Sequence, residues 1–120
     1  MKVLFICLAG AIRSKRAAEI FADKHQTSFM GIGSYSFHEY TAQQAPDYVT
    51  ISLQKKVKEN DLIFVMEQYM KDRLEKLIGF TSDKIIVLGI EDKYRYGDPV
   101  LDELLIEKIT PYLRVKRHGH

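Results

Sequence analysis

The sequence is poor in the residues that cross-link or interrupt a chain. It contains one cysteine, three prolines and no tryptophan in 120 residues. A single cysteine excludes an intramolecular disulfide and a cysteine-based zinc cluster, so Cys7 is either a buried core residue or a reactive thiol. The scarcity of proline gives no sign of a linker between domains. We therefore expect one domain over residues 1–120, in which 114–120 form a frayed tail.

Long hydrophobic runs and a strong charge of one sign are also missing. No apolar stretch approaches the roughly 20 residues that a membrane span needs, and the formal net charge is only +2. The first residues enter a predicted strand directly, without the basic, apolar and small-residue regions of a signal peptide. We therefore expect a cytoplasmic protein that binds neither membrane nor nucleic acid. Its size and modest charge favour a monomer.

The sequence does contain apolar runs that alternate with amphipathic segments. The predicted strands are Val3–Ile6, Ser28–Gly33, Asp61–Met66 and Lys84–Leu88, and the predicted helices are residues 14–25, a helix that ends at Gly79, and a helix that begins at Asp98 and Pro99. Strands that are continuously apolar and separated by helices are typical of a parallel sheet covered on both faces. The pattern therefore predicts an α/β fold with a four-stranded parallel sheet.

One segment fits two kinds of secondary structure. Val49, Ile51 and Leu53 alternate as in a strand, whereas Val49, Leu53 and Val57 recur at four-residue spacing as in a helix. We favour the helix.

Cys7 occupies the position at which such sheets bind ligands. It ends the first strand and is followed by a short loop and a helix, and open α/β sheets bind ligands at the carboxyl ends of their strands. A loop of this length can curl round a phosphate group, with backbone N–H groups and the N-terminus of the helix pointing inward. The predicted cradle consists of Leu8, Ala9, Gly10, Ala11, Ile12, Arg13 and Ser14.

The residue types in this loop predict a nucleophile as well as an anion site. Arg13 can grip two phosphate oxygens in a bidentate fork, and its charge and the helix dipole would favour the thiolate form of Cys7. Gly10 permits a left-handed turn close to the ligand, and Ser14 can cap the following helix.

Residues 1–21 resemble the opening of the low-molecular-weight protein tyrosine phosphatases, whose signature is an N-terminal strand followed by Cys-x5-Arg-Ser. Residues 61–67, 72–74 and 94–105 resemble a compact bacterial branch of predicted tyrosine phosphatases. The resemblance implies a flavodoxin-like, three-layer αβα fold and a cysteinyl-phosphate mechanism without metal or cofactor. In that mechanism Cys7 attacks phosphorus, Arg13 holds the phosphoryl group, and Ser14 hydrogen-bonds the Cys7 thiolate.

The resemblance also implies a general acid, for which two aspartates compete. The family's acid stands in an Asp-Pro-Tyr segment after the last strand. Asp92-Lys-Tyr94 matches this position and loses the proline, whereas Asp98-Pro99 keeps the dipeptide and lies where the last helix starts. A carboxylate that caps a helix is held ionised, which suits it poorly to donate a proton. We therefore prefer Asp92 as the acid.

Aromatic side chains near the predicted site are candidates for a substrate pocket. Tyr94 and Tyr96 lie near the proposed acid, and Phe37 and Tyr40 lie in an aromatic-rich loop; stacking on aryl phosphates and local packing are both possible roles. The charged residues between Glu67 and Lys76 are interpreted as a solvated helix face.

The leading functional hypothesis is a phosphomonoesterase that acts on phosphotyrosyl proteins or peptides, or on small aryl phosphates. Gly10 stands where the family usually has an asparagine that braces the loop, which leaves a phosphate-binding or regulatory module without turnover as an alternative. Arsenate reductases resemble these phosphatases in their first loop, but they need two further cysteines, and this chain has only Cys7.

Overall fold

The computed structural model describes residues 1–8, 12–35 and 47–117. Predictions for Ala9, Gly10, Ala11, Phe37 and Tyr40, and for residues 118–120, lie outside the described residues. The described strands are β1 (Lys2–Cys7), β2 (Gln26–Gly31), β3 (Leu62–Val65) and β4 (Ile85–Val87), and the helices are α1 (Arg13–Phe21), α2 (Asp47–Glu59), α3 (Gln68–Ile78) and α4 (Pro99–Arg117), with a short 3-10 helix at Ile32–Tyr35.

The four strands form one parallel sheet in the order β2-β1-β3-β4. The predicted α/β class and four-stranded parallel sheet are therefore confirmed. Strand order reverses direction between β1 and β3, where Ile6 pairs with Val65. This reversal is the switch point at which doubly wound sheets bind ligands, and it places the carboxyl ends of β1 and β3 side by side.

Helices cover both faces of the sheet in a three-layer arrangement. Helix α1 packs against α4, and α2 packs against α3. The central strand β1 is buried from Val3 to Cys7 because it has a neighbour on each side and a helix layer on each face. Phe5 stacks on Phe64 of β3, with ring centroids 5.5 Å apart. The two central strands are thus joined by side-chain packing as well as by backbone hydrogen bonds.

Two element boundaries differ from those predicted. Helix α1 ends at Phe21, not near residue 25, and β2 runs from Gln26 to Gly31, two residues earlier than predicted. The cause is pairing with β1, since the Gln26 N–H donates to the Met1 carbonyl at 3.0 Å. The neighbouring strand therefore sets the start of β2, and apolar content alone did not reveal it.

The remaining helices follow the sequence pattern. The ambiguous segment around residue 53 is helical, as predicted, within α2. Helix α3 buries Met70, Leu74, Leu77 and Ile78 and stops at Gly79, whose φ of 85° is the left-handed conformation that glycine adopts most readily. Helix α4 continues to Arg117 and so includes the start of the predicted tail. Among the described residues, no helix is both long and apolar enough to cross a bilayer.

Candidate active site

The candidate site lies at the carboxyl end of β1, beside the switch point of the sheet. Cys7 is the last residue of β1 and its side chain is buried. Its backbone pairs with Gly31 at the end of β2. On the other side, the Met66 N–H just after β3 donates to the Ile6 carbonyl at 3.1 Å. The sulfur is thus carried by a strand that hydrogen bonds fix along both edges.

Ser14 has a different role from the helix cap predicted for it. Helix α1 begins at Arg13, the N-cap position is Ile12, and no side chain caps the helix. Ser14 lies in the first turn, fully buried, and its Oγ is 3.0 Å from Cys7 Sγ. The capping prediction is wrong because the hydroxyl is directed at the sulfur instead. A hydroxyl in this position can donate a hydrogen bond to a thiolate.

Arg13 is buried, although it is charged. Its side chain is 2% exposed, and its Nη1 donates to Glu67 Oε1 and to the Ile90 carbonyl, both at 2.7 Å. Buried charges are stable when they are paired and hydrogen-bonded, and these two acceptors meet that requirement at one nitrogen. The Nε–Nη2 edge, the edge that a guanidinium uses for side-on bidentate binding of an oxyanion, is not the one engaged by Glu67 and Ile90.

Glu67 is a residue of the site that the sequence analysis missed. The solvated-face interpretation of Glu67 is wrong, because its carboxylate reaches Arg13 and its side chain is only 31% exposed. Glu67 directly precedes α3 and follows β3 by two residues, so it occupies the carboxyl edge of the sheet next to β1. A signal was present in the sequence: a carboxylate just after a buried strand faces the ligand edge of a parallel sheet.

The two candidate acids are in different places. Asp92 Oδ1 lies 3.9 Å from Arg13 Nε, and the Asp92 side chain is 59% exposed. Asp98 Oδ1 accepts a 2.9 Å hydrogen bond from the Val100 N–H at the start of α4. The structure thus places Asp92 beside the Nε–Nη2 edge of Arg13, which Glu67 does not contact. Asp98 lies in the capping position predicted for it.

The predicted pocket tyrosines lie on the segment that follows Asp92. Tyr94 is half-buried and packs against the core. Tyr96 is exposed, and its hydroxyl donates to the Glu19 carboxylate of α1. A third tyrosine, Tyr69, was not predicted. It lies two residues after Glu67, and partial burial together with the Glu67 carboxylate raises the pKa of its phenol.

No family model matches the sequence, and no curated protein matches it. Solved structures do match. Vibrio vulnificus Wzb in complex with benzylphosphonate has a TM-score of 0.60 and 17% identity, covering 94% of this chain and 97% of that chain. The YwlE arginine phosphatase was solved as a cysteine-to-serine mutant with a phosphorylated active-site serine. It has a TM-score of 0.58 and 17% identity, and the match covers 98% of this chain and 99% of that chain.

A solution structure of a low-molecular-weight protein tyrosine phosphatase from Bacillus subtilis has a TM-score of 0.58 and 19% identity, covering 98% of this chain and 99% of that chain. The chain has the fold of these phosphatases. The match extends over nearly the whole length of each protein. The flavodoxin-like, three-layer architecture implied by the sequence resemblance is therefore confirmed.

Within the described parts of the chain, no group of three or more histidine, cysteine, aspartate or glutamate side chains is placed to hold a metal ion. The side chains placed at the site offer a thiol beside a hydroxyl, and a guanidinium beside two carboxylates. This set can supply a nucleophile, its hydrogen-bond partner, an anion clamp and a proton donor.

Proposed function

We propose that the protein is a phosphomonoesterase that forms a cysteinyl-phosphate intermediate at Cys7. The observation that supports this most is the placement of Arg13. It directly precedes Ser14, whose hydroxyl contacts the Cys7 sulfur, and its buried guanidinium is held at one nitrogen by Glu67 and Ile90. Glu67 and Ile90 stabilise the buried charge through Nη1 alone. The Nε–Nη2 edge, which these two acceptors do not use, is suited to two oxygens of a phosphoryl group.

In the first step the Cys7 thiolate attacks phosphorus, and the S–P bond forms as the P–O bond to the leaving group breaks. Ser14, at 3.0 Å from the sulfur, donates a hydrogen bond that stabilises the thiolate. Arg13 binds two of the phosphoryl oxygens and neutralises charge that accumulates in the transition state. Ile12 and the residues before it in the loop would complete the cradle with backbone N–H groups.

Asp92 is proposed as the general acid. Its carboxyl group lies beside Arg13 Nε, so it is next to the edge on which the phosphoryl group would be held. From there a protonated carboxyl can reach the leaving-group oxygen, and the carboxylate that remains can activate water to hydrolyse the cysteinyl-phosphate. Asp98 is engaged with the Val100 N–H as a helix cap, which makes it the weaker candidate.

The substrate class is proposed to be phosphotyrosyl proteins or peptides, or small aryl phosphates, with no metal or cofactor. Two tyrosines, Tyr69 two residues after Glu67 and Tyr94 two residues after Asp92, are consistent with an aryl leaving group. Wzb binds benzylphosphonate, which is also an aryl compound. YwlE is an arginine phosphatase with the same fold, so phosphoarginine belongs in the substrate panel.

The deciding experiment is hydrolysis of p-nitrophenyl phosphate, a phosphotyrosine peptide and a phosphoarginine peptide by the purified chain. We expect turnover of the aryl phosphates that Cys7→Ser abolishes and that chelators leave unchanged. A radioactive or mass-spectrometric label on Cys7 after rapid quenching would identify the intermediate. Turnover that survives Cys7→Ser would contradict the proposal.

A phosphate-binding module without turnover is the second candidate, because Gly10 replaces the asparagine that is usual in the similar family. Tight binding of phosphate or vanadate without hydrolysis of any ester would favour it. Arsenate reduction would require an external thiol, since the sequence has only Cys7; arsenate reduction dependent on added glutathione would favour that activity.

A further inference from the structure

The segment that carries Asp92 connects β4 to α4, and its two ends are fixed. At its start, the Leu88 N–H donates to the Val65 carbonyl at 2.9 Å and the Ile90 N–H to the Met66 carbonyl at 2.8 Å, which extends the pairing with β3. At its end, Asp98 caps α4. Between these points residues 91–97 are exposed, apart from the half-buried Tyr94. We call residues 91–97 the acid loop.

Tyr96 connects the middle of this loop to α1. Its hydroxyl donates to Glu19 Oε1, and Lys15 of the same helix has its Nζ 5.3 Å from the centre of the Tyr96 ring. The hydrogen bond to Glu19 is the main cause that raises the pKa of the Tyr96 phenol, so the phenol stays protonated and able to donate at neutral pH. Two residues of α1 thus contact Tyr96: Lys15 lies over its ring, and Glu19 accepts the hydrogen bond from its hydroxyl.

Glu19 is itself part of a wider network. Arg16 Nη1 lies 3.5 Å from Glu19 Oε1, and the Arg16 guanidinium binds Asp102 of α4 through two hydrogen bonds of 2.8 and 2.9 Å. A bidentate pair of this kind has a defined geometry. The acceptor for Tyr96 is therefore linked to both α1 and α4, which pack against each other on this side of the sheet.

We propose that the contact between Tyr96 and Glu19 is a clasp that holds the acid loop against α1 and so positions Asp92 beside Arg13. Helix α1 begins at Arg13, so the clasp ties the proposed acid and the proposed phosphate clamp to the same helix. Tyr96 is then a positioning residue with its hydroxyl directed at α1, in place of the pocket role predicted from sequence. The catalytic part of this inference rests on the proposed function.

The first test measures loop opening and needs no activity. Lys93 and Arg95 are exposed tryptic sites within the acid loop, and cleavage there requires the loop to leave its place. Tyr96→Phe removes only the hydroxyl, and we expect tryptic cleavage in the loop to accelerate about fivefold, the effect of losing one partly exposed hydrogen bond to a charged group. Tyr112→Phe on α4 is the matched control and should leave the cleavage rate unchanged. Equal rates for Tyr96→Phe and wild type would overturn the clasp.

The second test asks whether the clasp serves the acid. A general acid matters most when the leaving group is poor, so kcat/KM of Tyr96→Phe should fall about tenfold for phenyl phosphate and only about twofold for p-nitrophenyl phosphate. Equal losses for both substrates, or none, would overturn the positioning role even if the loop opens faster. If the wild-type chain hydrolyses neither ester, the proposed function and with it the positioning of an acid fail, while the cleavage rates still decide whether the clasp exists.

Discussion

Glu67→Gln is the substitution that probes the site most directly, because it changes one charge at the buried guanidinium and preserves the shape of the side chain. Exposed ion pairs contribute about 0–1 kcal/mol to stability, and breaking a fully buried pair costs about 3–5 kcal/mol. Arg13 is 2% exposed and Glu67 is 31% exposed, so this pair falls between the two limits. The glutamine oxygen can still accept from Nη1, and we therefore expect a loss of about 2 kcal/mol.

Urea unfolding followed by circular dichroism measures this loss. Glu103→Gln, the same chemical change at an exposed position on α4, is the control and should change the free energy of unfolding by less than about 0.5 kcal/mol. If the Glu67→Gln chain is as stable as the control, the carboxylate of Glu67 is not needed to bury the Arg13 charge in the folded state.

The same variant separates two possible effects of Glu67 on ligand binding. If Glu67 holds Nη1 so that the Nε–Nη2 edge faces the ligand, Glu67→Gln should weaken vanadate binding by about tenfold, since roughly 1.4 kcal/mol of orientation is lost. If Glu67 competed with the ligand for Arg13, binding would become tighter. Isothermal titration calorimetry distinguishes these results, and tighter binding would refute the orienting role.

Three further predictions concern the frame around the site. A methyl group at Gly33 would lie 2.8 Å from the Leu8 carbonyl oxygen. Gly33→Ala should therefore displace the start of the phosphate loop and lower kcat/KM while the chain stays folded. An unchanged kcat/KM would contradict this. Lys84 donates from Nζ to carbonyls at the end of α2, at 2.8, 3.0 and 3.4 Å, and Lys84→Met should cost about 1–3 kcal/mol in urea unfolding. Hydrogen bonding to Arg16 lowers the pKa of Asp102 below 3.8, so the ion pair stabilises the fold fully above that pH and is lost as the pH falls further. The stability advantage of wild type over Asp102→Asn should therefore shrink only in that acidic range. An advantage that is independent of pH would contradict the assignment.

The sequence was sufficient for the architecture because its signals are local. Continuous apolar runs identified β1, β3 and β4, and helical spacing identified α2 and α3. Where a boundary was wrong, the cause was non-local: β2 begins where β1 offers the Met1 carbonyl to the Gln26 N–H. The hydropathy pattern does not show where two strands distant in sequence begin to pair.

At the site, the sequence predicted the residues that are neighbours along the chain and missed the residue that is distant in sequence. Cys7, Arg13 and Ser14 are close in sequence, and they are close in space. Glu67 reaches Arg13 from 54 positions away. Its position just after a buried strand was the signal in the sequence, and it was overlooked because the charged helix that follows favoured a solvated face. For Ser14, the local pattern predicted a helix cap and the family resemblance implied a hydrogen bond to Cys7. Its hydroxyl caps no helix and lies 3.0 Å from the sulfur.

The position of Cys7 gives the molecule a reporter of its own. Because the sequence has one cysteine, alkylation by a small neutral reagent follows a single position, at the carboxyl end of β1. Comparing the labelling rate with and without vanadate then measures how far a bound oxyanion covers the Cys7 sulfur, without mutation or attached probe. The same thiol that is proposed to attack phosphorus can thus report whether its own site is occupied.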